Sequence, residues 1–171
     1  RIHPKKNLLQ AIKLVGRLKG EIELHIYGPL EDNAYWALCQ KEIKKIPPHI
    51  DVMYKGSLEH KQITDVYKYY HVFLLPTFGE NYGHVIQEAL IGGCPVVISD
   101  QTPWRNMDKL NAGYDISLAQ EEKFINTLQS YVDMNQEQYD AASRKAFEYG
   151  NTISNIDVDA KKMLELFLNI A

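Results

Sequence analysis

Apolar residues along this chain recur with two periods, and the periods predict its elements. Leu8, Leu9, Ile12, Leu14 and Val15 follow helical spacing, with Gly16 as the stop. Residues 31–46 predict a second helix, ended by Pro47-Pro48. Residues 59–70 predict an amphipathic third, with Ile63, Val66 and Tyr67 inward. Strands follow a shorter rhythm. Residues 21–27 (EIELHIY) alternate and stop at Gly28-Pro29, and residues 50–54 form a short strand closed by Gly56. Residues 71–76 (HVFLLP) and 94–100 (CPVVISD) are apolar without alternation, as suits parallel strands covered on both faces. Between them a polar turn leads into a helix starting near Gly83, which Gly92-Gly93 ends. Residues 114–118 predict a last short strand.

Beyond that strand the pattern is helical only. Residues 120–134, 137–149 and 154–171 predict three successive helices, with Gly150-Asn151 breaking the second from the third. Strands alternate with helices through most of the length. The expected fold is therefore α/β, one parallel sheet with helices on both faces and a helical end, in a single domain over residues 1–171. No repeat, low-complexity tract or linker divides the chain. The first helix lacks the strand on which such a sheet usually starts, so a strand is expected ahead of Arg1 in a longer parent protein.

Composition excludes several classes. At 171 residues the chain is long enough for a real core, and its 45% hydrophobic and 24% charged residues are ordinary for a soluble globular domain. A net charge of −3 offers no nucleic-acid surface. No apolar run approaches the ~20 residues of a membrane span. The polar start, RIHPKKN, has no signal-peptide core. Cys39 and Cys94 have no metal-ligand spacing, and as free thiols they fit a reducing, cytoplasmic compartment. The histidines show no HExxH or HxH spacing. Asp157 and Asp159 form an Asp-x-Asp pair on a late helix, where residues two apart point to different faces, so no metal role is assigned to them.

Candidate chemistry gathers in residues 76–95, PTFGENYGHVIQEALIGGCP. Open α/β sheets bind ligands where strand ends meet helix starts, and this stretch spans such a place. Glu80 sits in the turn and Glu88 on the second turn of the helix. A carboxylate takes two hydroxyl donors at once, which suits the vicinal hydroxyls of a ribose or hexose. The backbone N–H groups of Tyr82, Gly83 and His84 open the helix, whose start favours an anion such as a diphosphate. Arg1, Lys5 and Lys6 could complete a phosphate site. Blander readings stand beside these. Glutamates near a helix start also simply favour the helix dipole, and Tyr82 can be packing. His84 can be helix surface, and the basic start, Lys5 above all, can be a solvated terminus.

The segment FGENYGHVIQEALIGGCPVVISD resembles the donor-site signature of retaining GT-B glycosyltransferases, in particular family four, the glycosyl transferases group 1. That signature has a Glu, seven residues and a second Glu, with a Gly-bearing turn before an EA(L/M)xxGxPV(V/I) helix and strand. RIHPKKNLLQAI is similar to the family's segment in which an Arg and a Lys hold the donor diphosphate, with Arg1 and Lys6 at those positions. ELHIYG with Pro29, and VMYKGSL, resemble the next two strand ends, which house the nucleotide. The resemblance implies the Rossmann-like, three-layer C-terminal half of a GT-B fold, with the acceptor domain absent. It implies a nucleotide-diphosphate sugar as donor substrate, UDP- or GDP-linked, and no metal or other cofactor. The sugar would pass to the hydroxyl of a glycan or lipid acceptor with retention, in glycan, polysaccharide or lipopolysaccharide synthesis.

In that frame Glu80 lies at the transferred sugar and Glu88 accepts from the ribose hydroxyls. The N–H groups of Tyr82, Gly83 and His84 face the sugar and diphosphate. The base sits near Gly28 and Gly56. No nucleophile is assigned. Asn81 stands where the family usually has Gly or a Ser-like residue, which bears on the sugar held. QTPWRNM replaces the common Gly-Gly-x-x-Glu, so no role passes to Gln101 or Thr102, and Trp104 is taken as packing. The family's catalytic His belongs to the first domain, so this chain alone is expected to bind donor and transfer little. A lipid or polysaccharide acceptor would put the parent protein at the inner membrane face. Alternatives are a non-catalytic nucleotide-sugar-binding module, a partner subunit of a transferase, or another GT-B enzyme such as an epimerase.

Overall fold

The structure, a computed structural model, describes residues 1–168. Helices α1 (Leu8–Val15), α2 (Asn33–Ile43), α3 (His60–Tyr67) and α4 (His84–Ile91) alternate with strands β1 (Ile22–Tyr27), β2 (Ile50–Gly56), β3 (Phe73–Leu75), β4 (Val96–Ser99) and β5 (Gly113–Ile116). Helices α5 (Glu121–Val132) and α6 (Gln136–Leu168) follow. Local chemistry starts several of them. Asp32 caps α2 by accepting from the Tyr35 N–H at 2.8 Å, and Glu59 with Gln62 forms a capping box on α3. Gly93, at φ 73°, takes the left-handed position after α4, as the Gly-Gly pair predicts.

All strand pairs are parallel and both faces are covered. Strand β4 shows this directly. Val97 packs with Leu14, Leu18, Phe124 and Leu128 of the α1 and α5 side, while Val96 and Ile98 pack with Ile86, Leu90 and Ala146 of the α4 and α6 side. Alternate residues point to opposite faces, so a wholly apolar strand implies two covering layers.

The single sheet expected from the sequence is in fact two, β1–β2 and β3–β4–β5. One core lies under both, since Leu24 and Val52 join Leu74, Val97 and Ile116 in it. Residues 1–7 stand between the two sheets at their C-terminal ends. Ile2 bridges Leu30 in parallel, its N–H donating to the Pro29 carbonyl at 2.8 Å. On the other side the Phe78 N–H donates to the Lys5 carbonyl at 2.9 Å, and Asn7 Nδ2 donates to the Pro76 carbonyl at 2.9 Å. The groups that this segment engages lie just beyond the ends of β1 and β3. The expectation of a strand ahead of Arg1 falls outside the described residues.

A second difference concerns α6, which runs unbroken through Gly150 and Asn151. Gly150 allows close packing there. A Cβ on it would come within 2.6 Å of Ile91 N and Leu90 C at the end of α4. Asn151 and Thr152 bond back to the Phe147 and Glu148 carbonyls, one helical turn earlier, which is compatible with a continuing helix. Tertiary packing overrides the helix-breaking propensity of Gly. The side chains of Asp157 and Asp159 lie outside the described residues.

In an open helix, Gly→Ala gains roughly 0.5–1 kcal/mol. Here we expect the opposite sign: Gly150→Ala should lose about 1–3 kcal/mol, the scale of overpacking, in urea denaturation. Burial raises the Cys39 thiol above its ordinary pKa and pushes Cys94 up to about 12. Because the thiolate is the reactive form, a thiol reagent at pH 8 should modify neither cysteine in the folded protein and both in denaturant.

Candidate functional site

Three chain segments meet at the C-terminal ends of the strands: residues 1–7, the turn 76–83 into α4, and residues 99–104 from the last residue of β4 onward. The first is shaped by its own sequence, His3-Pro4-Lys5-Lys6-Asn7. Pro4 opens a short 3₁₀ turn (Pro4–Lys6), His3 Nδ1 accepts from the Lys5 N–H at 3.1 Å, and Asn7 closes it in the left-handed region at φ 56°. That geometry throws Lys6 toward the second segment.

The segments are tied by buried hydroxyls. Thr77 Oγ1 donates to the Lys5 carbonyl at 2.9 Å and accepts from the Gly79 N–H at 3.2 Å. Ser99 Oγ donates to the Thr77 carbonyl at 2.5 Å, and the Gln101 carbonyl accepts from the Glu80 N–H at 3.2 Å. Thr77 and Ser99 are both fully buried. Buried polar groups must be paired, so these bonds hold the loops in one arrangement.

Lys6 Nζ donates to Glu80 Oε1 at 2.5 Å, with the two side chains 22% and 10% exposed. A charge-assisted contact this short and this far from water is a strong one. Glu80 therefore stands at the head of the turn as a carboxylate already held by a cation. The turn ends at Gly83, in the left-handed region at φ 83°, which starts α4 without a side-chain cap. A Cβ on Gly83 would lie 2.9 Å from Ile86 Cδ1 and 3.3 Å from Trp104 Nε1, so the space is tight, and the left-handed conformation is what favours Gly. Asn81, Tyr82 and His84 are exposed around it, with the Tyr82 ring 4.7 Å from that of His84. Glu88 is half-buried on α4. Below it Tyr67 donates to the Val85 carbonyl at 3.3 Å, and its phenol stays neutral because burial, then the charge of Glu88, raise its pKa.

The other predicted residues lie at the ends of β1 and β2. The Gly28 N–H donates to the Gly56 carbonyl at 2.8 Å. A Cβ on Gly28 would come within 2.6 Å of Arg1 N, so the start of the chain lies directly on it. The space beside Gly56 is open. Arg1 itself is 58% exposed, and its guanidinium pairs with Glu31 at 3.4 Å, not with the Lys6–Glu80 pair. Lys5 is exposed, its stem 3.6 Å from the position of a Cβ on Gly79.

Sequence reasoning missed Asn7, which gave no signal beyond a polar residue before an apolar helix, and Thr77 and Ser99, whose only signal was a polar residue at the end of an apolar run. It took Trp104 as packing. Trp104 does pack, at 7% exposed, but its Nε1–H also donates to the Tyr82 carbonyl at 2.6 Å. Chemically, a fixed carboxylate, an ammonium and the positive end of a helix converge on one turn. Such a set can hold hydroxyls and an anion together. Among the described residues no cluster of three or more His, Cys, Asp or Glu could hold a metal, and no helix is long and apolar enough to cross a membrane.

A family model, glycosyl transferases group 1, matches residues 1–148. No curated protein matches the chain. Its fold is similar to that of Anabaena Alr3699/HepE in complex with UDP and glucose, at TM-score 0.77 and 17% identity over 96% of this chain and 46% of that one. It is similar to WaaG, a glycosyltransferase involved in lipopolysaccharide biosynthesis, at TM-score 0.65 and 17% identity over 86% of this chain and 40% of that one. It is also similar to the catalytic domain of cholesterol-alpha-glucosyltransferase from Helicobacter pylori, at 0.66 and 15%, over 88% of this chain and 92% of that one. The chain thus spans 46% of the HepE chain and 40% of the WaaG chain.

Removing one partner of a nearly buried charge pair strands the other. Lys6→Met should cost about 1–3 kcal/mol of stability by denaturant titration, as for an unsatisfied buried group. The double variant Lys6→Met/Glu80→Gln should recover most of that loss, a coupling read directly by a double-mutant cycle.

Proposed function

The chain belongs to the glycosyl transferases group 1 family, and on that premise we propose that it is the donor-binding half of a GT-B glycosyltransferase. It takes a nucleoside-diphosphate sugar and presents it for transfer, with retention, to a hydroxyl of a glycan or lipid acceptor. The observation that carries this reading is the Lys6–Glu80 contact at the turn that opens α4. It puts a hydroxyl acceptor and a phosphate donor side by side at a helix start. The UDP and glucose of the HepE structure are ligands of the same chemistry.

Each residue then has a task. Glu80 positions the transferred sugar, and Asn81 beside it bears on which sugar fits. Glu88 accepts the ribose hydroxyls. Lys6 has three donors, so it can keep one on Glu80 and turn another to the diphosphate. Arg1 joins it by leaving Glu31; an exposed pair is worth only about 0–1 kcal/mol, so that exchange costs little. The N–H groups of Tyr82, Gly83 and His84 complete the anion site, and the base lies against backbone near Gly28 and Gly56. Charge grows on the diphosphate as the sugar leaves. Fixed donors and a helix start stabilise it, and no metal is required of this set. The acceptor and its catalytic His come from a second domain. The site faces the cytoplasm, at the inner membrane surface where the acceptor is a lipid-linked glycan.

Titration calorimetry with UDP and GDP in EDTA tests the reading. One of the two should bind, and Glu88→Ala should weaken it about 10- to 100-fold, the loss of charge-assisted bonds to the ribose. Failure of the unmodified protein to bind either nucleotide would overturn the proposal.

A further inference from the structure

Trp104 lies outside every residue assigned a task above, yet its indole touches the turn that those tasks depend on. Its ring is 7% exposed and packs with Ile86, Leu90 and Met107 under α4. Its backbone is held as well: the Trp104 N–H donates to Thr102 Oγ1 at 3.2 Å, and Thr102 is itself buried. So the indole is a rigid group, and its one polar atom is spent on the Tyr82 carbonyl, at 2.6 Å.

That bond has a geometric consequence. The peptide between Tyr82 and Gly83 is planar and trans, so its C=O and N–H point in opposite directions. Fixing the Tyr82 carbonyl on the buried indole turns the Gly83 N–H away from the core. Gly83 is also the residue least able to hold a peptide orientation by itself, because Gly accepts a wide range of backbone angles. The same indole edge sits 3.3 Å from where a Cβ of Gly83 would be, so it backs the turn directly. The Tyr82 ring stands edge-on to the indole at 5.7 Å and 72°.

We infer that Trp104 is a positioning residue of the donor site: its indole N–H locks the Tyr82–Gly83 peptide so that the Gly83 N–H is aimed at the phosphate end of the nucleotide. The inference rests on the donor-site reading above and adds to it a device from the loop after β4. A rigid donor side chain supports the turn from beneath.

Trp104→Phe keeps an aromatic ring in the core and removes the N–H. The full-length protein and this variant are titrated with UDP and UMP, or with GDP and GMP if guanine is the base bound. Melting of each protein is followed alongside. The diphosphate should bind the variant about tenfold more weakly, the scale of one misaimed hydrogen bond to a charged group. The monophosphate should change less than twofold. The selectivity for diphosphate over monophosphate should therefore fall by nearly the same factor. A structural role alone would weaken both ligands equally, and an unchanged selectivity in the variant overturns the inference. Binding of neither nucleotide by the unmodified protein overturns the donor-site reading, and with it this inference. If Trp104→Phe does not fold, benzothienylalanine at position 104, an isostere without the N–H, carries the same comparison.

Discussion

The Lys5 carbonyl accepts two hydrogen bonds from residues more than seventy positions away, the Phe78 N–H and the Thr77 hydroxyl, each at 2.9 Å. Much of the molecule depends on this junction. It fastens the start of the chain to the end of β3, while Ile2 fastens it to the end of β1. The two sheets do not pair with each other, so this short segment and the shared core hold them in place. Lys6 is carried into position by the same bonds. A candidate site assembled from three loops is thereby held by backbone and hydroxyl contacts.

Burying a charge pair is seldom a gain in stability, because desolvation offsets much of the attraction. The Lys6–Glu80 contact is better understood as readiness. Each group is oriented by the other at the turn that opens α4. The Arg1–Glu31 pair is the reverse case. Both members are well exposed, so the guanidinium is free to exchange partners at little cost. One cation is thus held close against a nearly buried carboxylate and the other sits in an exposed pair.

Close backbone approach recurs as the second constraint. Gly150 lets α6 lie on the end of α4, and Gly83 lets the turn lie on Trp104. Helix α4 is held at its C-terminal end by the first contact and at its N-terminal end by the second. Its position relative to Glu80 then follows from packing on both ends and needs no side-chain cap.

How much of this was legible in the sequence can be judged from single residues. Apolar periodicity located every strand and helix from α1 to α5, since a buried face must repeat with the geometry of its element. The Glu80 to Glu88 spacing and the Gly-bearing turn marked the candidate site, because a helix start is encoded locally. Other features were decided only by tertiary structure. Gly150 has the same sequence signature whether it breaks a helix or admits a neighbour. Thr77, Ser99 and Trp104 look like ordinary core or loop residues until the fold brings their partners within reach. The division of the sheet, and the contact of Lys6 with Glu80, join residues far apart in the chain. Local pattern determines what each segment is, and the long-range hydrogen bonds and close packing that decide what it touches exist only once the chain has folded.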